Sequence, residues 1–208
     1  MIRNIVFDMG NVLIKFAPLD YLNQTFKDKL AIEEVYRELF CKEEWIELDR
    51  GTLTEKEALV SVCARIPAYS EYVKQAMTGW FIERKPIEGM YELVRDVKQK
   101  GYRIYLLSNA SPRIYEYKDK IPAINFFDGY LISCDIKVNK PDREIYEALL
   151  RKYDLIAQEC IFIDDLQRNI EGAKAVGIQG HVFQGAAELR QFFIRQQILK
   201  EPPGIHCK

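Results

Sequence analysis

Histidine is nearly absent. His181 and His206 are the two present in 208 residues, which argues against a zinc centre built on imidazoles. His181 itself reads as a structural residue. Cysteine is scattered and odd in number (Cys41, Cys63, Cys134, Cys160 and Cys207), with no C-x-x-C pair. A disulfide framework is therefore not expected, and the thiols read as small reduced hydrophobes in a reducing compartment. Charge of one sign is also missing: the formal net charge is −1 and no long basic run occurs. Neither a nucleic acid nor an anionic membrane surface is expected as a partner. No stretch reaches the ~18–20 apolar residues of a membrane span. The opening MIRNIVFD is too short for a secretory signal and reads as a first strand. Together these features predict a cytoplasmic protein, a monomer or weak homodimer.

What is present is an ordinary globular balance of 48% hydrophobic and 29% charged residues, sufficient for a packed core without staples. Short apolar runs at 2–7, 102–108, 128–133, 160–164 and 178–183 read as strands. They alternate with helix patterns at 87–101, 143–154, 168–177 and 186–199. That alternation predicts an α/β fold with a Rossmann-like parallel sheet, helices on both faces. Residues 17–85 break the rhythm with helix patterns alone: PLDYLNQTF, AIEEVYRELF, TEKEALVSVCARI and SEYVKQAMTGWF. Thr52 or Thr54 is the expected cap of the third of these. The domain division expected is a core of residues 1–16 and 86–208 with a helical cap at 17–85. The last helix, with FFIRQQIL, is expected to pack on the core, and the tail EPPGIHCK to be loosely docked.

Ligands of parallel α/β sheets bind at the carboxyl ends of the strands. The first strand ends in Asp8 and the second in Ser108 and Asn109. Lys140 and Pro141 follow the third, and Asp164 and Asp165 end the fourth. Clustered carboxylates repel one another unless a cation neutralises them, and an oxygen set of this kind suits Mg²⁺ with a substrate phosphate. Ser108 and Asn109 can donate to phosphate oxygens, and Lys140 supplies a positive point charge. Ser111-Pro112 and Lys140-Pro141-Asp142 read as helix starts, whose N-termini favour anions. Phosphoryl transfer is the chemistry these residue types share.

Asp8-Met9-Gly10-Asn11-Val12, Ser108-Asn109, Lys140-Pro141 and Asp164-Asp165 with Asn169 resemble, in order and spacing, the four motifs of the haloacid dehalogenase (HAD) superfamily. IFIDDLQRNIEGA (161–173) is the most specific piece. The insertion resembles the superfamily's helical cap. FDMGNVL, LLSNAS and NKPDREIY resemble the subgroup of sugar-phosphate phosphatases typified by the bacterial α-glucose-1-phosphate phosphatase. The resemblance implies Asp8 as nucleophile and Mg²⁺ held by Asp8, the Gly10 carbonyl, Asp165 and Asp164. It implies Asn169 as orienter of the acidic loop, and Ser108, Asn109 and Lys140 around the phosphoryl group of a small phosphorylated metabolite, a sugar phosphate. The backbone amide of Asn11 is a further candidate contact to the phosphate. The superfamily's dehalogenases generally dispense with the acidic pair, which this chain keeps.

One position departs from the pattern. Most phosphatases of the superfamily carry an acid/base Asp where this chain has Gly10. General acid–base help is worth ~10²–10⁴-fold, so a non-catalytic phosphometabolite-binding protein stands as an alternative. A sugar phosphomutase is the other, and the missing acid/base Asp argues against it because a mutase needs controlled proton transfer. In the insertion, WIELDRGTLT (45–54) offers Asp49 and Arg50 to a polar substrate, and Trp45, Trp80 and Phe81 could stack on a sugar ring. The favoured expectation for each is plainer: aromatics in the core of the cap, charges on its solvated face.

Overall fold

The computed structural model describes residues 1–81 and 85–201. Strands β1 (Asn4–Phe7), β2 (Arg103–Ser108), β3 (Gly129–Ile132), β4 (Cys160–Asp164) and β5 (Gln179–Val182) pair in parallel. The sheet order is β3-β2-β1-β4-β5, with β1 at its centre. Each strand falls inside the run expected for it. The first begins at Asn4 because pairing starts there, with Arg103 on one side and Cys160 on the other.

Successive side chains of a strand point to opposite faces. Ile5, Phe7, Leu106 and Ile163 pack with Leu93 and Val97 of α6 (Met90–Gln99) and with Leu189 and Phe193 of α10 (Ala186–Arg195). Val6, Leu107 and Phe162 face the other way. They meet Ile145 and Leu149 of α8 (Arg143–Lys152) and Ile170 and Ala173 of α9 (Gln167–Ala175). The C-terminal helix therefore packs on the core, as expected. The connection from β2 to β3 departs from expectation. Ser111-Pro112 opens a short 3₁₀ helix, Pro112–Glu116, with no side-chain cap, and two further 3₁₀ turns follow to Phe126.

Between β1 and α6 lie α1 (Pro18–Thr25), α2 (Lys29–Val35), α3 (Glu43–Arg50), α4 (Glu55–Arg65) and α5 (Ser70–Gly79). They share a separate buried cluster that includes Leu22, Val35, Leu39, Val62, Val73 and Met77. Thr54, not Thr52, caps α4. Its hydroxyl accepts from the Glu57 amide while the Glu57 carboxylate accepts from the Thr54 amide, a reciprocal capping box. A π-helical turn, Tyr36–Phe40, extends α2. The chain enters and leaves the insertion side by side, with Lys15 N donating to Lys85 O at 2.8 Å and Ile87 N to Leu13 O at 2.9 Å.

Helix α3 begins two residues before WIELDRGTLT and runs into it to Arg50, a stretch that is not among the helix patterns expected for the insertion. Only Leu48 of it is buried, so its apolar periodicity is faint. It ends at Gly51, where φ is +74° and an added Cβ would sit 2.7 Å from the Cys134 carbonyl oxygen. Glycine serves there both as a left-handed helix stop and as a point of close approach to α7 (Ser133–Ile136). Ser133 Oγ donates to Asp49 O, and Asn139 Nδ2 donates to Ile46 O at 3.0 Å. Arg113 pairs with Glu55 across the same junction. Among the described residues no helix is long and apolar enough to cross a membrane. The tail expectation, His206 and Cys207 lie outside the described residues.

Candidate active site

Register sets the first contact. Phe7 is paired with Ile163, so the next residues, Asp8 and Asp164, emerge side by side from neighbouring strands. Both are buried, Asp164 completely. Lys140, 4% exposed, reaches between them from the loop before α8. Its Nζ lies 2.7 Å from Asp8 Oδ1 and 2.7 Å from Asp164 Oδ2, and donates to the Leu107 carbonyl at 3.0 Å. Three acceptors thus use the three donors of one ammonium.

The other carboxylates differ in their surroundings. Asp164 is saturated: besides Lys140 it accepts from Asn169 Nδ2 and, at 2.9 Å, from the Leu166 amide. Asp165 is half-buried and accepts from Asn11 Nδ2 at 3.3 Å. Asn169 therefore holds the acidic loop. Its side-chain Oδ1 accepts from no neighbour among the described residues, while its backbone carbonyl accepts from Tyr146 Oη at 2.7 Å. Helix α9 approaches the lysine loop closely. A Cβ at Gly172 would sit 2.5 Å from the Pro141 carbonyl, which explains the glycine of IFIDDLQRNIEGA.

Oxygens of Asp8, Asp164 and Asp165 all lie within 4.8 Å of one another. Three carboxylates face one ammonium there, in a buried place. Burial pushes the Asp8 carboxyl up to about 7, the attraction of Lys140 only partly offsetting it and Asp164 adding repulsion. Burial and Asp164 likewise raise Asp165. Burial pulls the Lys140 ammonium down, yet attraction to Asp8 and Asp164 outweighs it and the net direction is up. Excess negative charge on hard oxygens is the donor chemistry that fits Mg²⁺.

The remaining expected residues sit close by in different roles. Asn109 borders the site, and its carboxamide clamps the Lys140 peptide. Nδ2 donates to Lys140 O at 3.0 Å, and Oδ1 accepts from Lys140 N at 2.8 Å. Ser108 is buried, and its Oγ lies 3.5 Å from Asn109 O. Asn11 has φ +53°, a left-handed conformation that asparagine tolerates. Its amide donates to Ile14 O at 2.7 Å and its Oδ1 accepts from Phe16 N at 3.0 Å. Gly10 needs no unusual φ, and an added Cβ would meet only Phe16 Cβ at 3.7 Å, an ordinary contact. The fold does not demand a glycine there.

Above the acids opens a cavity of about 550 Å³ bordered by Asp8, Gly10, Asn11, Asn109, Lys140, Asp165 and Asn169. Its far wall comes from the insertion. Trp45 and Trp80 line it half-buried, Trp45 also packing against the buried cluster of the insertion as expected, and Asp49 and Arg50 border it as well. Phe81 packs instead under Arg113 and beside Tyr117. Phe16, Phe40 and Leu166 belong to the wall as well. Nothing in sequence spacing marks these three, because they come from separate elements. His181 lies apart, stacked on Phe192 and 2.8 Å from Glu188.

The family model described as haloacid dehalogenase-like hydrolase matches residues 2–177. The chain is 28% identical over 191 residues to the Sesquiterpene phosphatase astK of Aspergillus oryzae, covering 89% of this chain and 94% of that protein. It is 26% identical to a D-ribitol-5-phosphate phosphatase of Bacteroides thetaiotaomicron, covering 92% and 96%. A HAD-family enzyme of the same bacterium, solved with magnesium and inorganic phosphate, superposes with a TM-score of 0.71 at 18% identity, over 93% of this chain and 100% of that one.

Proposed function

The chain belongs to the haloacid dehalogenase-like hydrolases, and on that footing we propose that it hydrolyses a phosphomonoester through an aspartyl-phosphate on Asp8. The observation that carries this is the Asp8 carboxylate at the cavity floor, held 2.7 Å from the buried Lys140 ammonium. One Asp8 oxygen attacks phosphorus, and the bond from phosphorus to the alcohol oxygen breaks. The alcohol takes its proton from water, since Gly10 offers none. A second water attacks the acyl phosphate, releasing inorganic phosphate and restoring Asp8. Lys140 offsets charge on the phosphoryl oxygens as they crowd Asp8. The phosphoryl group is placed against Lys140 and the Ser108–Asn109 turn, with Asn109 fixing the lysine peptide and Asn11 fixing Asp165.

Asp8, Asp165 and the Gly10 carbonyl would hold Mg²⁺, supported by Asp164, whose oxygens are engaged by Lys140, Asn169 and the Leu166 amide. When bound, the ion supplies positive charge to the phosphoryl oxygens. Residues 17–85 act as a cap that shields the reaction from bulk water. The protein would work in the cytoplasm as a monomer or weak homodimer on a small phosphorylated metabolite. For the alcohol, the motif resemblance implies a sugar, and the ribitol-phosphate relative supports a polyol. The sesquiterpene phosphatase relative supports an apolar alcohol instead. The test is phosphate release from a panel of esters with and without Mg²⁺, with Asp8→Asn as the blank. Metal-dependent release that the variant lacks is expected. No release from any ester while Mg²⁺ still binds would overturn the reading in favour of a binding protein.

A further inference from the structure

The cavity is much larger than a phosphoryl group requires. About 550 Å³ falls within the ~300–1,000 Å³ of pockets that enclose a whole organic ligand. Four rings from separate stretches of the chain line the cavity together. Phe16 comes from the crossover after β1, Phe40 from the π-helical turn, Trp45 from α3 and Trp80 from the end of α5. They touch in sequence: Phe40 to Trp45 at 4.6 Å, Trp45 to Trp80 at 4.8 Å and Trp80 to Phe16 at 5.7 Å between centroids. Ile46 and Leu166, 45% and 40% exposed, extend the apolar lining toward solvent.

Apolar side chains gathered on the wall of a cavity mark a surface that a ligand covers. The rings themselves offer a polyol's hydroxyls no acceptor; the polar groups that the insertion adds to this cavity are Lys42, Asp49 and Arg50. A hydrocarbon or flat aromatic group would release water from both surfaces. We propose that the alcohol of the substrate is hydrophobic, an aromatic or branched hydrocarbon group lying on the Phe16–Phe40–Trp45–Trp80 wall while its phosphate sits at Asp8. This rests on the phosphatase reading and names the substrate class.

The only two tryptophans of the chain, Trp45 and Trp80, both border this cavity, so intrinsic fluorescence reports its occupation directly. With Mg²⁺ present, 3-phenylpropylphosphonate is expected to saturate the fluorescence change at a concentration about ten-fold or more below that of the hexose 6-phosphonate or methylphosphonate. Ile46→Ser, at an exposed position that tolerates a polar side chain, is expected to weaken phenylpropylphosphonate several-fold more than methylphosphonate. In turnover, kcat/KM for 3-phenylpropyl phosphate should exceed that for glucose 6-phosphate by about ten-fold or more; both are primary alkyl esters, which keeps leaving-group acidity out of the comparison. A hexose phosphonate that binds as tightly, or a phenylpropyl tail that adds nothing over methyl, would overturn the proposal. Absence of turnover on every ester would instead overturn the phosphatase reading, while the binding series still decides the character of the wall.

Discussion

Replacing Asp8, the proposed nucleophile, should make the metal-free protein more stable while ending phosphate release. Asp8 is 8% exposed, and its carboxyl is pushed up to about 7 from 3.8 by burial first, with the pull of Lys140 opposing and the repulsion of Asp164 adding. A carboxyl raised in the folded state binds its proton more tightly there than in the unfolded chain. Stability from this group is therefore fully present below pH ~4 and declines as pH rises through about 7. Above that, the charged form costs the fold about three pH decades at ~1.4 kcal/mol each, so about 4 kcal/mol at most. Water entry and relaxation lower this, and about 2 kcal/mol is the working figure. Asp8→Asn keeps the shape and removes the charge. Thermal melts in EDTA at pH 8 should show the variant higher by about 4–8 °C, since 1 kcal/mol moves the midpoint of a chain this size by ~2–4 °C. The gain should shrink as pH is lowered and vanish near pH 4. A variant that melts lower than the parent at pH 8, or a difference that does not depend on pH, would refute the placement of Asp8 as a charge strained by burial.

Other outcomes follow from the same geometry. Gly10→Ala should melt within about 1 kcal/mol of the parent, because its Cβ meets only Phe16 Cβ at 3.7 Å. Gly172→Ala drives a Cβ to 2.5 Å from the Pro141 carbonyl and should cost about 2–3 kcal/mol by denaturant titration, with phosphate release falling because Lys140 shifts with Pro141. In the insertion, a hydrogen bond from Arg65 holds the Glu44 carboxyl down to about 2, against 4.5 unperturbed. A depressed acid contributes stability above pH ~4.5 that is lost as pH falls toward 2, so Glu44→Gln should flatten the acid limb of the melting curve between those values. Gly51→Ala would press on Cys134 O at 2.7 Å with φ at +74°; faster amide exchange in α3 and α7 than in β1 should report the loosened junction.

Much of this site was legible because it depends on local pattern. Strand ends are marked by where apolar runs stop, and parallel pairing carries those ends to one edge. Asp8, Asn109, Lys140 and Asp165 are marked in this way, Asn169 only by the motif resemblance, and all five border one cavity. Their division of labour was not legible. Whether Asn109 donates to a ligand or clamps the Lys140 peptide depends on where a loop from 31 residues away comes to rest. That Asp164 is saturated while Asp165 faces the cavity depends on the turn at Leu166 and on α9, which no spacing rule reports.

The sequence by itself determined the layered α/β core, the helical insertion after β1 and the acid-and-lysine edge, because strand alternation and helix periodicity are properties of short segments. Only the tertiary structure decided the rest. It brought Lys140 between two carboxylates, docked α3 on α7 through the close approach at Gly51 and hydrogen bonds from Ser133 and Asn139, and assembled an aromatic wall from four separate elements. Those arrangements are contacts between distant residues, fixed by how helices settle on one another and on the sheet, and no local pattern carries them.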